Sequence, residues 1–325
     1  MRVLVGDIGG TKTGLAVAEV DGERISLSGE RRYPSAKSDS LEKIVKGYIS
    51  ETGVQCELGA FAIAGPVQDD RSRTTNLPWE VDARYMEQDL GLRLVRLLND
   101  LEAVAWGIPA LGEDGFDVLH PGDEGAVGNA CVVAAGTGLG EAGMHWDGQR
   151  HHPFATEGGH TDFAPLDDKE FALLTHLRHQ FGRVSWERVV SGMGVANIYQ
   201  FLMSWHQADV PDWLRDEIAT GDAAAAIAKA AQRRHCPICA EAMKMFSGFY
   251  GREAGNMALK HMALGGVYLG GGVAQKNLDL LHRGQFMQGF FDKGRMEPLV
   301  RRMPVRVILE PLTPLYGAAR FIAAA

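Results

Sequence analysis

The chain has 325 residues, 46% of them hydrophobic and 23% charged, with a net charge of −8. That size allows two domains with complete cores and no disulfide staples, and the acidic balance argues against nucleic acid or an anionic membrane surface as partner. No run of about 18 apolar residues is present to cross a membrane, and four cysteines in a chain of this size do not make a disulfide framework, so a cytoplasmic protein is expected.

In chain order, residues 2–8 read as a buried strand, 14–20 as a second and 24–33 as a third, with Asp21-Gly22 as a hairpin turn. A helix at 40–50 with Ser40 as N-cap follows, then a strand at 58–64, a helix at 82–90, a strand at 93–98 and a helix at 100–108. The order βββαβαβα describes an α/β unit with a mixed sheet and helices on its faces. The Pro-, Gly- and acid-rich stretch 109–128 is the best boundary. The pattern then restarts with strands at 130–135, 141–146 and 149–155 and a turn at Asp147-Gly148. This reads as an internal duplication of the first unit. Helices dominate from 168 to about 262, and strands at 265–269 and 305–310 and a helix at 315–323 complete the chain. The expected division is a small domain of 1–110, to which 303–325 returns, and a large domain of 111–302.

Glycine numbers 40, about 12% against a usual ~7%, and it gathers in short runs. In Gly6-Asp7-Ile8-Gly9-Gly10-Thr11-Lys12-Thr13, glycines allow close approach to phosphate, Thr11 offers a hydroxyl and an N–H, and Asp7 can hold hydrated Mg²⁺. The frame departs from a Walker loop, because Thr11 stands where the second Gly belongs and a strand follows. The reading is a hairpin that closes on phosphate. Gly136-Thr137-Gly138-Leu139-Gly140 occupies the equivalent place in the repeat. Gly270-Gly271-Gly272, at a strand-to-helix junction, suits a ribose edge or is only a tight turn.

Leu98-Asn99-Asp100 joins a strand to a helix. Asn99 and Glu102 fit a capping box, which would leave Asp100 as a first-turn acid; alternatively Asp100 faces a substrate as general base. Glu157-Gly158-Gly159-His160 sets an acceptor and a donor on one tight loop, which suits a vicinal diol or is a surface turn. Glu187 follows Ser185, a candidate N-cap, and is a dipole complement or a sugar ligand. Asn76-Leu77-Pro78-Trp79 lines a pocket or packs a Trp beneath a turn. His235-Cys236-Pro237-Ile238-Cys239 has one C-x-x-C and no second pair, so buried thiols at a helix start are favoured over zinc.

G-D-I-G-G-T at 6–11, L-N-D-L at 98–101, A-G-T-G-L-G at 135–140, E-G-G-H-x-D-F-A-P at 157–165, E-R-V-V-S-G at 187–192 and L-G-G-G-V at 269–273 resemble the bacterial glucokinases. The blocks share that family's order and similar spacing over nearly the whole chain. The resemblance implies two RNase H-like (actin-like ATPase) domains with an inter-domain cleft that closes on the sugar. It also implies a cytoplasmic homodimer and ATP-dependent phosphorylation of glucose at the 6-hydroxyl with Mg²⁺. By the same resemblance Asp100 is the base, and Asn99, Glu157, His160 and Glu187 join it in holding the sugar hydroxyls. Asp7, Gly9, Gly10, Thr11, Gly136, Thr137 and Gly138 meet the phosphates, Asp7 through Mg²⁺-bound water, and Gly271 lies near adenosine. G-G-T-K at 9–12 is closer to the related ROK kinases, but their cysteine-rich zinc motif is missing, since no cysteine lies between Cys131 and Cys236. The alternatives are a kinase for another hexose or with another phosphoryl donor, and a non-sugar actin-like ATPase. A sugar-responsive regulator would need a DNA-binding helix pair, and the core here begins at residue 2.

Overall fold

A computed structural model describes residues 1–74, 77–233 and 236–324. It divides into two compact units, Met1–Phe116 with His152–Ala155 and Leu309–Ala325, and Asp117–His151 with Thr156–Ile308.

The first unit is built on strands β1 (Arg2–Ile8), β2 (Lys12–Asp21), β3 (Arg24–Pro34), β4 (Leu58–Ile63) and β8 (Leu94–Asn99), in the spatial order β3-β2-β1-β4-β8. The first three form an antiparallel meander, and β4 and β8 run parallel to β1. Both faces of β1 are covered, which explains its continuous apolar run. Leu4 and Ile8 pack with Tyr48, Phe61 and Trp79, while Val3 and Val5 pack with Leu315, Ala318 and Ile322. Helix α1 (Leu41–Thr52) starts at Ser40, whose hydroxyl accepts from Lys43 N–H, and ends at Gly53 with φ of 65°. Helix α2 (Ala83–Leu90) is capped by Asp82. Helix α3 (Asp100–Gly107) is crossed by the C-terminal helix α13 (Thr313–Ala324) at glycine contacts. A Cβ on Gly317 would stand 1.7 Å from Ala103 O, and one on Gly107 2.2 Å from Thr313 O. Only glycine permits that approach, and it fixes α3 at the end of β8. A small sheet of β5 (Val67–Gln68), β6 (Arg71–Arg73) and β7 (Glu80–Asp82) stands apart from the main one.

The second sheet comprises β9 (Phe116–His120), β10 (Ala130–Ala135), β11 (Leu139–Trp146), β12 (His151–Thr156), β13 (Gly266–Gly270) and β14 (Val305–Ile308), in the order β12-β11-β10-β13-β14-β9. Its first five members repeat the first sheet: a hairpin strand beside β10, then two strands parallel to β10. The duplication read from the two glycine hairpins is thus present in the strand order. Helices α4 (Asp168–Phe181), α5 (Gly192–Trp205), α6 (Asp212–Thr220), α7 (Ala223–Gln232) and α8 (Pro237–His261) follow, and then α9 (Gly271–Lys276), α10 (Leu278–His282), α11 (Gln285–Phe291) and α12 (Glu297–Val300). The long α8 carries Phe246, Phe249, Tyr250, Ala254 and Met257 into the core, each at most 3% exposed. Among the described residues no helix is long and apolar enough to cross a membrane.

Candidate active site

In the first unit the candidate residues gather at the carboxyl ends of the parallel strands, the end where open α/β sheets hold ligands. Asp7 is half-buried near the end of β1, and Gly9, Gly10 and Thr11 make the turn into β2. The turn is clamped from outside. Gly9 N–H donates to Lys12 O (3.0 Å), Ser35 Oγ donates to Gly9 O (2.8 Å), and Ser35 N–H donates to Thr11 O (3.0 Å). Ser35 carries no motif, so sequence reasoning missed it. Asp7, Ala62 and Leu98 share one rung of the sheet, and Ile8, Ile63 and Asn99 the next. With strands about 4.8 Å apart, Asp7 and the Asn99-Asp100 junction lie about 10 Å from each other across the sheet.

The capping box at Asn99 is real. Its Oδ1 accepts from Leu101 N–H (2.9 Å) and Glu102 N–H (3.2 Å), and the Glu102 carboxylate reaches back to Asn99 N–H. Asn99 Nδ2 donates to Gly65 O (3.1 Å), leaving one N–H of the amide for a ligand. Capping and substrate contact are therefore compatible at this residue. Asp100 is half-buried, and its Oδ1 accepts from Leu101 N–H (3.0 Å).

Burial pushes the Asp7 carboxyl up to about 6, with the Arg32 guanidinium pulling it down. A desolvated carboxylate of this kind gains most from a nearby divalent cation. The residues present therefore fit Mg²⁺, held through Asp7 and otherwise by phosphate and water. Among the described residues no cluster of three or more metal-ligating side chains exists.

In the second unit Gly136, Thr137 and Gly138 turn from β10 into β11, with Gly136 N–H donating to Gly138 O (2.8 Å). Gly271 lies beside this loop at the end of the adjacent parallel strand. Its φ is 81°, and a Cβ there would stand 2.3 Å from Ala135 O. The third glycine run is thus both a tight turn and a close approach to the first loop of this unit.

Of the two readings of Glu187, the complement to a capped helix start fails. Ser185 forms no side-chain cap, and residues 186–188 make only a single turn. The Glu187 carboxylate instead accepts from Leu139 N–H (3.1 Å) through Oε2, and a Cβ on Gly138 would stand 2.4 Å from the same oxygen. One acid therefore ties the candidate sugar site to the candidate phosphate loop.

Glu157 and His160 are exposed on the turn that contains Gly158 and Gly159. The segment after the turn is held against the Glu187 segment. Trp186 N–H donates to Thr161 O (2.9 Å), and Phe163 N–H donates to Val184 O (3.1 Å). Arg252 anchors both from below. Its guanidinium donates to Glu170 and to Ala164 O (2.6 Å) and lies against the rings of Phe163, Trp186 and Phe249. Glu157, His160 and Glu187 are brought together by this packing. Trp79 is 2% exposed in the first unit's core and donates to Ser38 O (3.2 Å), which is the packed-Trp reading. Asn76 and His235 lie outside the described residues. Cys236 and Cys239 are buried at the start of α8, where Cys236 Sγ accepts from Cys239 N–H (3.3 Å).

Two sheets of one repeated topology, each opening its first hairpin with a glycine turn, give the chain the fold of the sugar kinase/actin-like ATPase class. The chain belongs to the glucokinase family: a family model described as Glucokinase matches residues 4–325. A glucokinase of Synechocystis sp. is 40% identical, over 98% of this chain and 97% of that one. One from Photorhabdus laumondii is 34% identical over 98% of this chain and 96% of its own length. Among solved structures, a glucokinase from an Antarctic psychrotroph aligns over 100% of this chain and 99% of its own, with a TM-score of 0.86 and 28% identity. A Streptomyces griseus ROK family glucokinase, solved with glucose and AMPPNP, shares the fold at a TM-score of 0.68 and 20% identity, covering 100% of both chains.

Proposed function

We propose that the protein transfers the terminal phosphoryl group of ATP to the 6-hydroxyl of glucose, giving glucose 6-phosphate and ADP. The observation that carries this reading is the company of Asp100. A carboxylate follows a strand end about 10 Å from a second, desolvated carboxylate beside a clamped glycine turn. A sugar hydroxyl needs a proton acceptor, and a phosphoryl group needs backbone donors and a cation. The first unit has candidates for each.

In this mechanism Asn99 donates to a glucose hydroxyl with its remaining amide N–H. Glu157 and Glu187 accept from others, and His160 donates or accepts. Asp100 accepts the bond from the 6-hydroxyl, orients its oxygen toward the terminal phosphorus and receives its proton late, as the loose transition state collapses. The turns of Gly9, Gly10 and Thr11 and of Gly136, Thr137 and Gly138 meet the phosphate oxygens, the N–H groups of Gly10, Thr11, Thr137 and Gly138 donating while those of Gly9 and Gly136 close the turns, and Gly271 leaves room for the adenosine. Mg²⁺, when bound through Asp7 and water, supplies charge neutralisation at the phosphates. A homodimer and a cytoplasmic location go with the family resemblance.

A panel of hexoses against ATP, ADP and polyphosphate tests substrate and donor. Glucose with ATP should give the highest kcat/KM by at least about tenfold. Higher turnover of another hexose or another donor would replace the substrate or donor assigned here.

A further inference from the structure

The second unit contains two buried acids that the mechanism above does not use. Glu141 follows the glycine loop on β11 and is 1% exposed, and Glu253 on α8 is 0% exposed. Glu141 pairs with Val133, whose carbonyl accepts from Tyr250 OH (2.9 Å), and Tyr250 and Glu253 share one face of α8. Glu253 Oε2 accepts from Asn256 Nδ2 (2.8 Å), and its Oε1 lies 3.6 Å from Lys260 Nζ. Both oxygens of Glu141 and Oε1 of Glu253 are buried and find no hydrogen-bond donor among the described residues. Two ionised carboxylates offer only acceptors, and a single proton between them makes one a donor to the other.

The Glu141 carboxyl also abuts the candidate sugar-binding turn. Its Oε2 lies 1.9 Å from where a Gly158 Cβ would be, Thr156 Oγ1 donates to Glu141 O (2.9 Å), and Leu139 O lies 2.1 Å from where a Gly159 Cβ would be. The turn between Glu157 and His160 therefore rests on β11 with no spare volume. We propose that Glu141 and Glu253 hold one proton between them and that this neutral pair supports the Glu157–His160 turn, making Glu141 a positioning residue for glucose. The role rests on the reading of that turn as the sugar site.

Burial pushes Glu141 from its ordinary 4.5 up to about 8, with the Glu253 carboxylate adding to the shift and Lys260 opposing it. Burial also raises Glu253, against Asn256, Lys260 and Lys293. The titratable groups around the pair are Glu253, Lys260 and Tyr250 on α8, Cys131 on β10, and Lys293 beyond α11. Burial raises Tyr250 and Cys131 well above their usual ranges, so both stay neutral, and it lowers Lys293 to about 8. An acid with a raised folded pKa contributes stability that is complete below its unfolded value and is lost as pH climbs through the folded one. Loss of the shared proton sets two charges beneath the turn.

The test is the glucose KM, kcat and Tm of the full-length protein between pH 7 and 9. In the wild type, KM should rise about tenfold across this range while kcat changes less than about threefold, a split that loss of folded protein would not produce. Glu141→Gln, which mimics the protonated acid, should flatten the KM profile and raise Tm at pH 9. Glu253→Gln removes the neighbouring charge and should move the rise in KM to lower pH. Lys293→Met, which removes the other group titrating near pH 8, should retain it. A flat wild-type KM, a Glu141→Gln profile like the wild type's, or loss of the rise in Lys293→Met would overturn the proposal. A wild type that binds ATP but does not phosphorylate glucose would refute the substrate, and with it the positioning role. The Tm profiles decide the shared proton separately.

Discussion

Asp100→Asn removes a proton acceptor while keeping its shape, and the geometry separates its catalytic cost from its folding cost. Leu101 N–H, which donates to Asp100 Oδ1 (3.0 Å), also donates to Asn99 Oδ1 (2.9 Å), so the start of α3 keeps its cap. The first-turn charge that the substitution removes is worth about 0.3–1 kcal/mol. In a domain of this size that lowers Tm by no more than about 4 °C. Loss of a general base removes about 10²–10⁴ from the rate, or roughly 2.7–5.5 kcal/mol of transition-state stabilisation. Because proton transfer is late in a loose phosphoryl transfer, the lower half of that range is expected. A coupled assay of glucose 6-phosphate formation, run beside a melting curve and an ATP titration, reads all three quantities. A kcat within about threefold of the wild type would refute the assignment of the base. So would a fall in kcat matched by an equal loss of folded protein.

Glu187→Ala leaves Leu139 N–H without its side-chain acceptor, so the KM for glucose and that for ATP should both rise, by roughly tenfold or more, in initial-rate kinetics. Gly271→Ala would set a Cβ 2.3 Å from Ala135 O at a φ of 81°, and calorimetry should show a loss of about 1–3 kcal/mol or more together with weakened ATP binding. Asp7 has its folded pKa raised from 3.8 to about 6, so its contribution to stability is complete below 3.8 and lost as pH rises through about 6. Without Mg²⁺, Asp7→Asn should therefore melt higher than the wild type at pH 7.5 and much like it at pH 4, and it should lose most of the stabilisation that MgATP gives the wild type.

The features legible in the sequence are those set by neighbours in the chain. The glycine turns, the repeated hairpin and the caps at Ser40 and Asn99 depend on residues within a few positions of one another, and each is present. The small sheet between 67 and 82 has strands of two or three residues, too short for any periodicity, and β9 lies within the stretch read as a boundary. The contacts that assemble the candidate site are between residues distant in sequence. Glu187 meets Leu139 N–H 48 positions away, Arg252 meets Glu170 82 positions away, and Gly317 meets Ala103 through a helix crossing. No local pattern announces these. Asn99 shows the other difficulty: a capping box and a substrate contact call for the same residue, and the amide has enough hydrogen-bonding capacity for both.

In the proposed mechanism ATP consumption is coupled to a glucose hydroxyl through Asp100. Measuring ADP and glucose 6-phosphate together over time, with and without glucose, tests it most directly. Coupling through Asp100 should give one sugar phosphate for each ADP and a hydrolysis rate without glucose that is smaller by orders of magnitude. ATP turnover that is indifferent to glucose, or ADP released without a sugar phosphate, would contradict it.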